Sequence, residues 1–264
     1  MGERPVALVT GASMGLGAEF ARLLASEGYD LVLTARDADR LAMLKKEVEN
    51  LHGITAQVLV ADLADARAPA AIHERMRSGA IEIDLLVNNA GFGMYGKFSD
   101  SNLQTEMEMI QVNIVALVHL TKLFVRDMVA RRRGRIVNVA STAAFQAGPM
   151  QSVYYASKAF VLSFSEAVGN ELKGTGVTVT ALCPGPTPTG FQARANVGGL
   201  RGLRLMMRVS PEAVVRAGYN GMKHGRPVVI PGVLNNIHVF LLRLVPRRLV
   251  TNVVRKIQTH PRSA

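Results

Sequence analysis

The amino-acid sequence predicts an α/β fold built around a parallel sheet. Short apolar runs of strand length alternate along the chain with longer segments of helical pattern. This alternation is typical of βαβ units, in which a helix connects two parallel strands. With 264 residues, the chain is long enough to form one large domain with a substantial core.

The elements are predicted in chain order as follows. A buried strand over Val6–Thr10 leads into a helix over Gly15–Ser26, and a second strand at 31–34 leads into a helix over 37–50. Helical patterns separate most of the later strands, which are expected at Ala56–Val60, Leu85–Asn88, 135–140, Val177–Leu182 and 228–230. The Gly/Pro-rich stretch 184–202 is long for an ordinary connection and favours a binding loop.

The charge of the chain is concentrated at one end. The sequence has 31 basic and 20 acidic residues, a formal charge of +11. Residues 1–200 hold 19 of each sign, so the last 64 residues, with 12 basic residues and the single acid Glu212, carry the whole excess. This distribution argues against nucleic-acid binding by most of the chain, and we expect no nucleic-acid partner.

Other features exclude several classes of protein. A single cysteine, Cys183, rules out an internal disulfide framework. The six histidines lack the spacing of metal ligands, so we expect no metal. The first residues form no apolar signal segment, and no window reaches the ~18 consecutive apolar residues of a membrane span. We therefore expect a cytoplasmic protein.

A glycine-rich turn follows the first strand. The sequence Thr10-Gly11-Ala12-Ser13-Met14-Gly15-Leu16-Gly17 lies between the predicted strand and helix. Glycines there allow a tight turn and close approach of the backbone to a pyrophosphate, and the helix amides point at the negative charge. The alternative is a tight turn without a ligand.

Further motifs support the interpretation of the glycine-rich turn as a ligand-binding turn. Asn88-Asn89-Ala90-Gly91 follows the fourth strand, and Ser141, Tyr154 and Lys158 have the spacing Ser-x12-Tyr-x3-Lys. With the glycine turn, these motifs resemble the compact, single-domain form of the short-chain dehydrogenase/reductase family, over residues 6 to about 230. The resemblance implies a doubly wound, Rossmann-like three-layer sandwich with a mostly parallel sheet of about seven strands. It also implies that Asn113 is the fourth catalytic residue, and that Pro184-Gly185-Pro186-Thr187-Pro188-Thr189 closes over the nicotinamide.

The chemistry of the predicted site can be argued from the side chains. A tyrosine with a pKa of ~10 is a poor acid–base catalyst at neutral pH, and a nearby ammonium lowers that value. Tyr154 and Lys158 are four residues apart and share a helix face, so we expect Lys158 to lower the pKa of Tyr154. Ser141 follows a strand end and can hydrogen-bond the substrate oxygen. By the resemblance, Lys158 also holds the ribose, and Asn113 holds a water that links Lys158 to solvent.

Cofactor choice depends on the end of the second strand. An acidic residue there would bind the ribose 2′-hydroxyl and select NAD(H). Here Ala35 takes that position and Arg36 follows, and a guanidinium can pair with a 2′-phosphate. We therefore favour NADP(H) over NAD(H), the alternative being an exposed arginine beside Asp37. The cofactor contacts implied by the resemblance are Thr10, Gly11, Ser13, Met14, Gly15, Leu16, Gly17, Arg36, Asp62, Leu63, Asn89, Ala90, Gly91, Tyr154, Lys158, Pro184, Gly185, Thr187 and Thr189.

The basic C-terminal quarter contains two amphipathic segments. Within the expected substrate loop at about 186–210, basic and apolar residues of 200–209 recur at helical spacing. They would cover an apolar or anionic substrate or, as we favour, form a solvated basic face over ordinary packing. The extension at 234–264 has an apolar and a basic side. Such a helix can lie on an anionic membrane, but we favour its packing on the catalytic domain at 1–233 or on a second subunit.

Together these features predict a function. We expect an NADP(H)-dependent oxidoreductase that transfers a hydride between the nicotinamide and a carbonyl or secondary alcohol. The loop after Pro184 and the extension resemble hydroxysteroid and long-chain ketoacyl reductases, which implies a hydrophobic substrate. Family members pair through the helices that carry Asn113 and Tyr154, which implies a homodimer or homotetramer. The alternatives are a protein that binds NADP(H) without turnover and a membrane-surface scaffold.

Overall fold

The structure is a computed structural model that describes residues 4–188 and 209–259. Thr189 and the amphipathic pattern at 200–208 lie outside the described residues, and so does most of the predicted substrate loop.

The core of the fold is one sheet of seven strands. All six strand pairs are parallel, and the spatial order is β3-β2-β1-β4-β5-β6-β7. The strands are β1 Val6–Thr10, β2 Asp30–Ala35, β3 Ala56–Val60, β4 Leu85–Asn88, β5 Gly134–Val139, β6 Val177–Leu182 and β7 Val228–Val229. The predicted doubly wound α/β fold is confirmed, and the sheet is parallel throughout.

Helices cover both faces of the sheet. They are α1 Gly15–Ser26, α2 Ala38–His52, α3 Ala68–Ser78, α4 Leu103–Ile110, α5 Leu117–Ala130, α6 Ser152–Glu171, α7 Pro211–Lys223, α8 Val233–Leu242 and α9 Arg247–Thr259. One apolar core lies between the sheet and helices α1, α2 and α7. A second lies between the opposite face and helices α3, α5 and α6.

The strand sequences explain this three-layer arrangement. Successive side chains of a strand point to opposite faces of the sheet. In β1, Ala7 and Val9 belong to the first core and Leu8 to the second. In β4, Leu85 and Val87 belong to the first core and Leu86 to the second. Strands covered on both sides need apolar residues at every position, which is the pattern the sequence shows.

The strand order places a crevice at the carboxyl ends of β1 and β4. The chain winds outward from β1 through β2 to β3, then returns to β4 on the other side of β1. Such a reversal leaves an opening between the connections that leave the two adjacent strands, and ligands of α/β sheets bind there. Thr10 ends β1 and Asn88 ends β4 at this position.

One helical stretch among the described residues, Leu103–Ala130, is long and apolar enough to cross a membrane by length and composition. It consists of α4, a π-helical segment at Gln111–Ala116 and α5. Its apolar character has another explanation, because Leu117, Leu120, Phe124 and Met128 are buried in the domain core.

Candidate active site

The glycine-rich turn after β1 has the shape that a phosphate group needs. Gly11 and Gly15 adopt φ angles of +64° and +57°, in the left-handed region that favours glycine. A Cβ atom on Gly17 would lie 2.2 Å from the carbonyl oxygen of Gly11. Met14 gives no side-chain cap to α1, and the first turn of α1 has no acidic residue. The first amides of α1 are therefore free of a local carboxylate, as an anion site requires.

The Asn89-Ala90-Gly91 segment is tied to this turn. The Thr10 hydroxyl accepts hydrogen bonds from the backbone amides of Asn89 and Ala90, each at 3.0 Å. The Asn89 side chain donates to the carbonyl oxygen of Thr10 at 2.9 Å. These bonds join the ends of β1 and β4. A Cβ atom on Gly91 would lie 2.9 Å from Asn113 Oδ1, so only glycine fits there.

Asn113 lies on the π-helical segment and is almost fully buried. Its Oδ1 accepts from the Phe92 amide, and its Nδ2 donates to the Phe92 carbonyl and to Ser157 Oγ, all at 3.0 Å. Ser157 in turn donates to the carbonyl of Tyr154 at 2.7 Å. Both side-chain amide protons of Asn113 are thus engaged within the protein, and Asn113 connects the Gly91 loop to α6. Single-turn π-helices are frequent at functional sites.

Ser141, Tyr154 and Lys158 meet beside this network. Ser141 follows β5, accepts from the Ala143 amide at 3.1 Å, and shares a hydrogen bond with Tyr154. Lys158 Nζ is buried, donates to the carbonyl of Val139 at 2.8 Å and lies 5.9 Å from the centre of the Tyr154 ring. The predicted spacing therefore brings the three side chains together at the end of β5.

The expected effect of Lys158 on Tyr154 is not seen. Burial raises the pKa of Tyr154 well above its ordinary value, and the hydrogen bond to Ser141 opposes this only in part. Burial lowers the pKa of Lys158 to about 8. The Lys158 ammonium donates to Val139, so it gives the phenol little stabilisation as an anion. Tyr154 is consequently a protonated donor at neutral pH.

The segment after β6 lies against Ser141. The carbonyl of Pro184 accepts from the Thr142 amide at 2.8 Å and from Ser141 Oγ at 3.4 Å. Thr187 is buried and donates to the carbonyl of Gly185 at 3.0 Å. Pro184 is therefore next to Ser141 and Thr187 is tied to Gly185, and the closure of this segment over the nicotinamide stays a prediction.

Two arginines follow β2, Arg36 directly after the strand and Arg40 in the first turn of α2. Arg36 is exposed, and its Nη1 lies 3.7 Å from Asp62 Oδ2. Asp37 caps α2 by accepting from the Arg40 amide at 3.0 Å and pairs with Arg40 Nε at 3.2 Å. Asp37 is thus engaged with Arg40. Arg40 Nη1 reaches to 3.9 Å from Met14 Sδ in the glycine turn, so both arginines border the crevice.

Asp62 and Leu63 follow β3. Asp62 accepts from the Ala64 amide at 3.0 Å, and Leu63 is buried in the second core. Asp62 therefore caps the following turn and pairs with Arg36, and its contact with the cofactor stays a prediction.

Comparison with known proteins identifies the family. The family model described as short chain dehydrogenase matches residues 5–198. The chain belongs to the short-chain dehydrogenase/reductase family. It is therefore an oxidoreductase, as the sequence predicted.

Three proteins show the range of similar members. The ketoacyl reductase HetN of Nostoc is 33% identical over 226 residues, which cover 84% of this chain and 77% of that protein. The mouse 17-beta-hydroxysteroid dehydrogenase type 3 is 35% identical over 182 residues, covering 67% of this chain and 58% of that protein. A short-chain dehydrogenase from Sphingobium yanoikuyae, solved in complex with NADPH, is 32% identical, with a TM-score of 0.81 and coverage of 92% and 97%.

Sequence reasoning missed three residues of this dehydrogenase/reductase site. Asn235 of α8 is buried, and a Cβ atom on Gly185 would lie 2.5 Å from its side-chain amide. Gln258 of α9 donates to the Tyr155 hydroxyl at 3.0 Å and accepts from the Tyr95 hydroxyl at its backbone carbonyl. The third is Arg40. An isolated amide in an amphipathic helix gives no sequence signal, because its partners are distant in the chain.

A small cavity opens beside Tyr154. Met94, Met109 and Met150 line it together with Phe98 and Glu106. Met94 and Met150 lie in the connections that follow β4 and β5, at the end of the sheet where ligands of α/β folds bind. Met150 adopts a φ of +70°, an unusual conformation for a side chain of its size, and its carbonyl accepts from the Gly96 amide at 2.8 Å.

Proposed function

We propose that this enzyme uses NADP(H) to interconvert a ketone and a secondary alcohol on a hydrophobic substrate. The observation that carries the proposal is a half-buried, protonated Tyr154 in a hydrogen bond with Ser141, next to Lys158. A protein that only binds a dinucleotide has no need of such a proton donor at the end of the sheet.

In the reduction, the bound cofactor supplies the hydride that reaches the carbonyl carbon. The alkoxide that develops needs a proton, and the Tyr154 hydroxyl, which is hydrogen-bonded to Ser141, is the proposed donor. Ser141 donates a hydrogen bond that fixes the carbonyl oxygen and stabilises its growing negative charge.

Lys158 and Asn113 restore the proton of Tyr154 in this proposal. The pKa of Lys158, about 8, lets its ammonium lose and regain a proton near neutral pH. Asn113 holds the loop at Phe92 and the α6 residue Ser157 in place around it. We assign the water that completes the relay to this region of the π-helical segment.

The preference for NADP(H) is supported by the two arginines at the crevice. Ala35 leaves the end of β2 without a carboxylate, and Arg36 and Arg40 place two guanidinium groups near the glycine turn. Guanidinium groups bind phosphate with paired hydrogen bonds. The Sphingobium relative was solved with NADPH, which agrees with this assignment.

The hydrophobic substrate is supported by part of the lining of the cavity. Beside Tyr154, apolar side chains come from Met94, Met109, Met150 and Phe98, and polar ones from Ser101, Glu106 and Gln151. Similar proteins are named as a ketoacyl reductase and a hydroxysteroid dehydrogenase, names that refer to a ketoacyl group and to a steroid alcohol. We therefore assign a ketoacyl or steroid-like carbonyl compound as the substrate class.

We also propose a homodimer through α4, the π-helical segment and α6. Leu103, Met107 and Val115 are exposed on the first two, and Phe160 is exposed on α6 and stacks on Phe164 at 5.9 Å. An exposed apolar patch of this kind marks a subunit interface. Sedimentation of wild type and Phe160→Glu is expected to show loss of the dimer in the variant.

The proposed reaction is tested by cofactor consumption. Purified protein is mixed with NADPH or NADH and a panel of ketones of increasing apolar size. We expect NADPH consumption that rises with apolar size and is slower with NADH. NADPH binding without consumption across the whole panel would instead support the non-catalytic alternative.

A further inference from the structure

The C-terminal helices expose apolar residues on their outward side. In α8, Asn235 and Val239 face inward and are buried, whereas Ile237, Phe240 and Leu241 are exposed. Ten of the eighteen large apolar side chains that are exposed among the described residues lie within 233–257. We call this set the C-terminal apolar surface; it consists of Val233, Leu234, Ile237, Phe240, Leu241, Leu244, Val245, Leu249, Val253 and Ile257.

The inward side of the same helices is already fixed to the enzyme. Asn235 packs on the backbone of Gly185, and α8 lies against the short helix Thr142–Phe145 that follows Ser141. At the other end, Gln258 is hydrogen-bonded to Tyr155 and Tyr95. The expected packing on the catalytic domain therefore uses only one side of the extension. The exposed side needs a separate explanation, because a patch of this kind marks an interaction site.

The charge of the extension distinguishes between two possible binding partners of the C-terminal apolar surface, a second copy of this chain and an anionic apolar surface. Residues 233–259 contain five basic residues and no acidic residue; the basic ones are Arg243, Arg247, Arg248, Arg255 and Lys256, and all are exposed. In a two-fold symmetric pair, each copy presents the same patch to the other. Two such surfaces would bring ten positive charges together with no carboxylate between them. A second copy of this chain is therefore disfavoured as the occupant, and an anionic apolar surface is favoured.

The lengths of the C-terminal helices limit how they can contact an anionic apolar surface. Helix α8 has ten residues, which gives a length of about 15 Å, half of the ~30 Å hydrocarbon core of a bilayer. It cannot span a membrane. A short helix with exposed apolar residues and neighbouring arginines can lie in the plane of the interface, with guanidinium groups at the lipid phosphates.

We propose that the C-terminal apolar surface docks this enzyme on an anionic lipid bilayer. Apolar side chains of α8 and α9 enter the boundary between headgroups and acyl chains, and the five basic residues bind the lipid phosphates. The inward contacts of Asn235 and Gln258 then hold the active site next to the lipid surface. The docking does not depend on which ketone the enzyme reduces.

The test is co-sedimentation of the full chain with vesicles. One vesicle type contains phosphatidylglycerol and phosphatidylcholine, and the other contains phosphatidylcholine alone. We expect binding to the anionic vesicles, and at least about tenfold weaker binding of the double variant Phe240→Ser/Leu244→Ser, which removes apolar area from the interface. The matched control is Met43→Ser/Leu51→Ser, which changes two exposed apolar residues of α2 and is expected to bind like wild type.

Two further measurements separate the alternatives. Raising the salt concentration from about 0.1 M to about 0.5 M is expected to weaken binding, because salt screens exposed charges. Circular dichroism checks that both double variants are folded. The proposal is overturned if wild type does not bind anionic vesicles, or if Phe240→Ser/Leu244→Ser binds equally well. It is also overturned if sedimentation shows that this variant dissociates an oligomer that the control retains.

Discussion

The catalytic body (residues 1–233) and the C-terminal extension (residues 234–264) of this enzyme differ in which side chains they expose to solvent. In the body, two of the polar groups proposed for chemistry are buried, since Asn113 and Lys158 are 1% and 5% exposed, and Ser141 and Tyr154 are half-buried. In the extension, Phe240 and Leu244 are apolar and yet 59% and 66% exposed. The body is neutral by count over residues 1–200, and the basic excess lies beyond residue 200.

We infer from this difference that the body determines which reaction occurs and the extension determines where the enzyme binds. A buried network fixes which proton moves and where a dinucleotide binds, and it requires no net charge. An exposed apolar and basic surface contributes nothing to hydride transfer, but it determines what the enzyme adheres to. Of the overall charge of +11, the extension at 234–264 contributes +6 and residues 201–233 contribute +5, so the excess lies outside residues 1–200, which hold the catalytic candidates. Variants in one region should leave the other region's behaviour intact.

The largest effect is expected for Tyr154→Phe in the body. Without the hydroxyl, no proton donor stands beside Ser141, and general acid catalysis of this kind contributes about a thousandfold. Turnover with NADPH should fall by about that factor, while NADPH affinity and vesicle binding stay near wild type. Tyr155→Phe is the control, and its turnover is expected within about tenfold of wild type. Equal losses in the two variants would contradict the assignment.

A second large effect is expected for Gly17→Ala. The added methyl group would lie 2.2 Å from the Gly11 carbonyl oxygen, so the turn has to shift. A shift that costs about 3 kcal/mol lowers NADPH affinity by about a hundredfold. Fluorescence titration measures this affinity. Gly169→Ala on α6, where the nearest contact is an ordinary 3.4 Å, should bind NADPH like wild type.

The variant Lys158→Met tests how the buried Lys158 ammonium affects the pH dependence of the free energy of unfolding. Burial lowers the pKa of Lys158 from 10.5 to about 8. Below pH 8 Lys158 is charged in the folded state, where burial disfavours that charge. Between about pH 8 and 10.5 this residue binds more protons in the unfolded state than in the folded state. The contribution of Lys158 to the free energy of unfolding therefore rises with pH. From pH 7 to 9.5 the free energy of unfolding should gain about 2 kcal/mol in wild type relative to Lys158→Met.

Denaturant unfolding at the two pH values measures that gain. The exposed residue Lys46 of α2 provides the control, and Lys46→Met should follow the pH dependence of wild type. A gain of the same size in Lys158→Met as in wild type would show that the buried ammonium is not its source.

A smaller effect is expected at the two arginines. Arg36→Ala and Arg40→Ala should each lower kcat/KM with NADPH by about tenfold, because each removes a charge-assisted hydrogen bond to phosphate. Activity with NADH should change little. Arg67→Ala, which removes an exposed arginine paired with Asp65, is the control. Parallel losses with both cofactors would contradict the role in 2′-phosphate binding.

The smallest effect is expected at the link between the two regions. Gln258→Ala removes the hydrogen bond to Tyr155 and should lower the free energy of unfolding by about 1 kcal/mol. Gln104→Ala, at an exposed pair with Glu108 on α4, should change it less. An unchanged stability of Gln258→Ala would show that α9 is not anchored at this point.

Much of the body could be predicted from the sequence because its signals are local. The bounds of β1, α1, β3, β4 and β6 agree with the prediction, since apolar runs end at glycine turns and polar caps. The spacing of Ser141, Tyr154 and Lys158 also predicts their proximity, because Tyr154 and Lys158 share a helix and Ser141 ends a neighbouring strand.

The remainder depends on contacts between distant segments. The pKa of Tyr154 could not be predicted, because the Lys158 ammonium is turned towards the carbonyl of Val139, and only the fold reveals this. Asn235 and Gln258 lie in the extension and meet residues that precede them by 50 and 103 positions. The helical periodicity of α9 also did not reveal which part of its apolar face is buried, and only Val254 is.

The most direct test of the central claim follows the hydride itself. The enzyme is incubated with a bulky apolar ketone and NADPH deuterated at the transferable position of the nicotinamide, and the product is analysed by mass spectrometry. We expect an alcohol with one deuterium on the carbinol carbon, and we expect Tyr154→Phe to form this product about a thousandfold more slowly than wild type. Bound NADPH that yields no labelled alcohol from any ketone of the panel would contradict it.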